Sequence, residues 1–144
     1  MKTALPFMLV IGLLVTCSLS IHAQNSEKSS EMVNMLEGKW RLEMKRDTLG
    51  DAVDIANTRD PEAEPDIYFT IDFKNKKKAV LSGGDYSVNT SWEINGKLIS
   101  FYYRKKDKWV VFPIRSLNSN AMVLIFTIPT EDGPMKIEAY YKKL

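Results

Sequence analysis

Residues 86–103 read YSVNTSWEINGKLISFYY. Tyr86, Val88, Thr90, Trp92 and Ile94 alternate with Ser87, Asn89, Ser91 and Glu93. A period of two is the pattern of a strand with one buried and one wet face. Ile99, Phe101 and Tyr103 continue the apolar face beyond Asn95-Gly96, the preferred loop of a two-residue type I′ hairpin. That turn predicts a register in which Trp92 faces Ile99, Thr90 faces Phe101 and Val88 faces Tyr103. On the other side Glu93 meets Leu98, Ser91 meets Ser100 and Asn89 meets Tyr102. Turn chemistry and apolar pattern therefore select the same inner face.

The alternation extends in both directions. Toward the C-terminus the tip Lys105–Lys108 predicts a second hairpin, with Val110, Phe112 and Ile114 opposite Tyr103, Phe101 and Ile99. Trp109 and Val111 then point outward. Asn118-Ser119-Asn120 turns the chain. Residues 121–128 are apolar on both faces, so their inside is not assigned. Residues 129–134 (PTEDGP) read as a loop, and Met135, Ile137, Ala139 and Tyr141 alternate with Lys136, Glu138 and Tyr140 in a final strand.

Toward the N-terminus, Ala79–Ser82 is a short strand that Gly83-Gly84-Asp85 stops. Ile67, Phe69, Ile71 and Phe73 alternate with Tyr68, Thr70 and Asp72, and Trp40, Leu42 and Met44 with Arg41, Glu43 and Lys45. Before Gly38, Met32, Met35 and Leu36 share a helical face, with Ser30 placed to cap it. The expected fold is all-β: eight antiparallel strands in sequence order with a short N-terminal helix. Closure into an up-and-down barrel removes the two edges such a meander would expose. A sandwich is the alternative, but only residues 47–66 are long enough for its cross-connection.

The first twenty-three residues are of another kind. Lys2 gives a positive start, Ala4 to Val15 an apolar run, and Ser20-Ile21-His22-Ala23 a small, polar ending. This is the order of a secretory signal, and the ending resembles those of Bacteroidetes. The apolar run is shorter than the roughly 20 residues of a transmembrane helix, and no second such run follows, so no membrane span is expected. Cleavage after Ala23 makes residues 1–23 a signal peptide, 24–30 a flexible leader and 31–144 the barrel domain. The destination is then periplasmic or secreted. A rival reading takes Leu14-Val15-Thr16-Cys17 as a lipobox, with the mature chain anchored by a lipid on Cys17.

Cleavage after Ala23 also removes the single Cys and the single His, Cys17 and His22. What remains has no thiol nucleophile, no imidazole base and no soft metal ligand. Gly83-Gly84 is too short for a phosphate loop. The carboxylates of residues 47–66 (DTLGDAVDIANTRDPEAEPD) have no calcium-loop spacing. Neither an enzyme nor a cofactor or metal is expected. The basic runs Lys74–Lys78 and Arg104–Lys108 are tips rather than a face, which argues against nucleic acid as a partner.

Gly38-Lys39-Trp40 on the first strand, the helix before it and the eight strands ending in Tyr140-Tyr141-Lys142-Lys143 give the chain a resemblance to the lipocalin-like families of small secreted bacterial barrels. The resemblance covers about residues 31–144. It implies that Gly38 and Trp40 form the closed end of the barrel, where the family covers the Trp with an Arg from the last strand. Lys142 or Lys143 stands at that place here. It also implies a binding role.

Two functions follow. One is a binder of a small, mainly apolar or amphipathic ligand held by the inward residues Phe69, Phe73, Thr90, Trp92, Phe101, Tyr103 and Phe112. The other is a protein-interaction module, an inhibitor or an envelope-complex subunit, with a filled barrel and outward Tyr68, Tyr102, Trp109 and Tyr140 as contact groups. If the helix covers one end, strand alternation sends residues 47–66, the Gly83-Gly84 turn and the Lys105–Lys108 tip to the other. There the acidic segment faces the basic tip as a lid.

Overall fold

The computed structural model describes residues 30–54, 60–75 and 77–144. The expected signal, the leader up to residue 29 and Cys17 lie outside them. Residues 30–36 are helical. Ser30 is already inside the helix, so it is not the cap expected of it.

Eight strands follow: β1 Gly38–Asp47, β2 Thr70–Lys74, β3 Lys78–Ser82, β4 Ser87–Asn95, β5 Leu98–Tyr103, β6 Lys108–Leu117, β7 Ala121–Thr130 and β8 Gly133–Lys143. Each pairs antiparallel with the next, and β8 pairs with β1, so the sheet closes. The order is the up-and-down barrel that the alternation predicts. Buried side chains fill it from one end to the other, from Trp40, Ile71 and Phe73 through Trp92, Phe101 and Phe112 to Met122, Leu124 and Ile137.

Both hairpin registers differ from expectation by two residues. Trp92 pairs with Phe101 and Asn95 with Leu98, leaving Gly96-Lys97 as the loop. Gly96 has φ +57 at the first loop position. A glycine there belongs to a type II′ turn rather than type I′. Likewise Ile99 pairs with Phe112 and Phe101 with Val110. A shift of two leaves each side chain on its face, because the strand period is two. Phe112 and Ile114 are therefore inside, and Trp109 and Val111 are half-exposed.

Two irregularities do change faces. β1 carries a register shift between Leu42 and Met44. An extra residue in one strand reverses the alternation beyond it, so Met44 is 44 % exposed rather than inside. A similar break precedes β2. Thr70 is the partner of Ser82, yet the Phe69 N–H also donates to the Ser82 carbonyl, 2.7 Å away. Two residues thus oppose one. Phe69, expected inside, is turned out and 42 % exposed, while Tyr68, expected outside, is fully buried.

Residues 129–134 are not a loop. Pro129 pairs with Pro134 and Thr130 with Gly133, so only Glu131 and Asp132 turn. The inside of β7, open from sequence, is Met122, Leu124 and Phe126.

Candidate functional site

Antiparallel order puts the β2–β3, β4–β5 and β6–β7 turns at the same end as Trp40. Trp40 is fully buried there. Its indole Nε1 donates to the Leu36 carbonyl at 2.8 Å. Lys143 lies over the ring, its Nζ 5.3 Å from the centroid, and donates to the Met35 carbonyl at 2.8 Å. The covering cation is thus Lys143 and not Lys142, which is exposed and pairs with Arg41. Gly38 has φ +112, and a Cβ there would come 3.1 Å from the Lys143 stem. Both the backbone angle and the close approach call for glycine.

At the opposite end the chain between β1 and β2 enters the barrel. Asp66, Ile67 and Tyr68 are all buried. The Tyr68 phenol is hydrogen-bonded to that of Tyr103, and its carbonyl accepts from the Tyr141 phenol at 2.9 Å. The Tyr86 phenol donates to Asp66 Oδ2, whose other oxygen accepts the Ile67 N–H at 2.8 Å. Tyr68 also meets Phe101 edge-on at 6.3 Å. Residues 66–68 are therefore a plug inside the mouth. The preceding segment reaches the basic tip as expected: Lys105 Nζ is 2.9 Å from Asp60, and Lys106 Nζ 3.9 Å from Glu64. The Lys105 hydrogen bond holds the Asp60 carboxyl below its ordinary range.

Burial pushes the phenols of Tyr68, Tyr103 and Tyr141 well above the usual tyrosine value. They stay neutral in the fold while an unfolded tyrosine ionises near pH 10. Their contribution to stability is complete below that pH and is lost above it. The unfolding free energy should be flat from pH 8 to about 10, then fall by about 1.4 kcal/mol per pH unit for each such phenol, and the denaturation midpoint with it. A midpoint unchanged at pH 11 would contradict the buried network.

The inner aromatic residues pack on each other. Phe73 lies 5.0 Å from Trp92 and 6.0 Å from Phe101, Phe101 lies 5.9 Å from Phe112, and Phe112 lies 4.7 Å from Phe126. Every one is buried. Such ring-to-ring contacts occupy the space a central cup would need.

An open space lies instead in the barrel wall. Pairing of β4 with β5 stops at Trp92–Phe101. Beyond it the Thr90 hydroxyl donates to the Tyr102 carbonyl at 2.6 Å, a side chain standing where a ladder bond would be. A cavity of about 360 Å³ occupies this seam. Its inner wall is Ala79, Leu81, Val88, Thr90 and Tyr103; its outer rim is Lys78, Asn89, Ser91, Tyr102 and Arg104; Lys74 and the loop residues Pro61 and Glu62 complete it.

Of the residues expected to hold a ligand, Thr90 and Tyr103 line this cavity. Phe73, Trp92, Phe101 and Phe112 lie in the packed interior and Phe69 is outside. The outer rim residues carry outward parity on ordinary strands. Alternation alone gives no signal for them; only the premature end of the β4–β5 register assembles them.

No family model matches the chain and no curated protein matches it. Among solved structures it is similar to a lipocalin-like protein from Bacteroides uniformis, with 16% identity and a TM-score of 0.45, over 76% of this chain and 99% of that one. It is also similar to a bovine odorant binding protein in complex with a selenium-containing odorant, with 16% identity and a TM-score of 0.42, over 78% of this chain and 72% of that one. By its own strand order and closure, with a short helix before the first strand, the chain is a lipocalin-like barrel.

Proposed function

We propose that this is an exported, non-catalytic binding protein, and that its small, mainly apolar ligand sits in the β4–β5 seam rather than on the barrel axis. The seam cavity carries this reading. About 360 Å³ lies within the roughly 300–1,000 Å³ of small-molecule sites. An apolar inner wall with a few hydroxyl and amide groups at the rim is the usual composition of such a site. The filled interior and the Tyr68 plug argue against the axis.

Asn89→Trp places a ring in the seam from an exposed strand position and leaves the core intact. Phenyl-naphthylamine and its sulfonated relative, anilinonaphthalene sulfonate, are suitable fluorescent probes. At least one should bind the wild type, and the substitution should weaken it by about tenfold, or about 1.4 kcal/mol. Equal affinity in the two proteins would move the ligand elsewhere.

Export is part of the proposal. Removal of residues 1–23 leaves Gln24 first, and intact mass of the protein recovered from its native host reads this directly. A diacylglyceryl group on Cys17 would make it a lipid-anchored protein instead.

A second reading has its own support. Leu98, Trp109 and Val111 are half-exposed on the outer face of β5 and β6, and the Trp109 ring lies tilted against that of Tyr102, their centroids 5.5 Å apart. Exposed aromatic pairs of this kind suit a protein partner. Tyr68 no longer belongs to that surface, being buried.

A further inference from the structure

Resting on the seam reading above, we infer that the ligand is an organic anion, with its apolar body against the inner wall and its acidic group between Lys78 and Arg104. The charges of the cavity are unbalanced. Among the described residues Lys74, Lys78 and Arg104 line it, against Glu62 alone. Lys74 is already countered by Asp72, 2.5 Å away. That leaves two cations, Lys78 and Arg104, to one carboxylate, Glu62. Among the described residues the Lys78 ammonium has only the Ser91 hydroxyl as a hydrogen-bond partner, at 2.9 Å. Among the described residues the Arg104 guanidinium has no hydrogen-bond or ion-pair partner.

The position of Arg104 follows from the broken register. It opens the short 3-10 turn Arg104–Lys106 directly after β5, on the outward parity shared with Tyr102. Had the pairing continued, Asn89 would lie across from Arg104 and Ser91 across from Tyr102. The open seam instead leaves a planar cation beside neutral donors. A guanidinium binds a carboxylate or sulfonate through two parallel hydrogen bonds, a fit an ammonium lacks. A cationic ligand would meet like charge from Lys78 and Arg104. A simple inorganic anion would leave Leu81 and Val88 without a partner, so the inner wall asks for a hydrocarbon part as well.

The two naphthyl probes separate this inference from the reading beneath it, since they share an aromatic body and differ in the sulfonate. The wild type should bind anilinonaphthalene sulfonate at least about tenfold more tightly than phenyl-naphthylamine. In Lys78→Met/Arg104→Met the preference should fall to about twofold or less, with the affinity for the neutral probe kept. Both positions are exposed, and an unchanged melting midpoint will show that the fold is retained. Equal binding of the two probes by the wild type overturns the anion inference alone. So does a sulfonate preference that survives the double substitution. Binding of neither probe overturns the inference and the seam reading together.

Discussion

Replacing Trp40 by alanine is expected to lower stability by about 3–5 kcal/mol, the cost of deleting a buried aromatic. For a domain of this length the melting midpoint should fall by about 10–20 °C. The ring is completely buried, and two other groups depend on it. The Leu36 carbonyl loses its donor and the Lys143 ammonium loses the π face beneath it. Trp40→Phe keeps most of the hydrophobic contact and loses the N–H, so it should cost only about 1–3 kcal/mol. A Trp40→Ala midpoint within a degree or two of wild type would mean that this end of the barrel is not closed as described.

Tyr68→Ala should have an effect of similar size with a different sign on binding. The substitution removes a fully buried ring from the mouth, for about 3–5 kcal/mol, and leaves the Tyr103 phenol without its partner. It also empties space next to Phe101. The emptied space has Phe101 on one side and the freed Tyr103 phenol on another, a mixed lining that a naphthylamine ring with its N–H can enter in place of water. The variant should therefore bind phenyl-naphthylamine at a second site that the wild type lacks, visible as a second phase in the titration. A single phase, unchanged from wild type, would show that the mouth is blocked by something other than Tyr68.

Much of the architecture is legible from alternation alone. The parity of Thr90, Trp92, Phe101, Phe112, Ile137 and Tyr141 needs only a period of two, and each lies inside. The two registers were less legible. A glycine with positive φ can occupy either position of a two-residue loop, depending on whether the turn is I′ or II′. Asn95-Gly96 does not say which, and the resulting shift of two conceals itself because it moves no residue to another face. Phe69 and Tyr68 exchange roles because of one extra residue opposite Ser82, and a bulge of this kind has no reliable residue signature. The candidate site is the least legible part. Thr90 and Tyr103 were within reach as inward residues. Asn89, Ser91 and Arg104 were not, since their gathering depends on where two strands cease to pair.

Closure of the sheet has a consequence for how the chain acquires its fold. Trp40 pairs with Lys143, so the pairing that completes the barrel joins nearly the first structured strand to the last residues. Contacts this distant in sequence are slow to form. Until β8 arrives, β1 is an open edge able to pair with another unfinished molecule. β1 carries two devices that discourage such pairing. The irregularity between Leu42 and Met44 interrupts a flat template, and Arg41, Glu43, Lys45 and Arg46 give it charge along its length. The returning chain covers the other edge. Past the last β2 partner, Arg41–Thr70, Ala52 bridges Arg46 and the Val53 N–H donates to the Lys45 carbonyl at 3.2 Å, while Lys45 and Arg46 pair with β8 on the opposite side. That flap needs only a few residues beyond the strand itself, so the far half of β1 can have one edge covered early and leave only the β8 edge to the bulge and the charges.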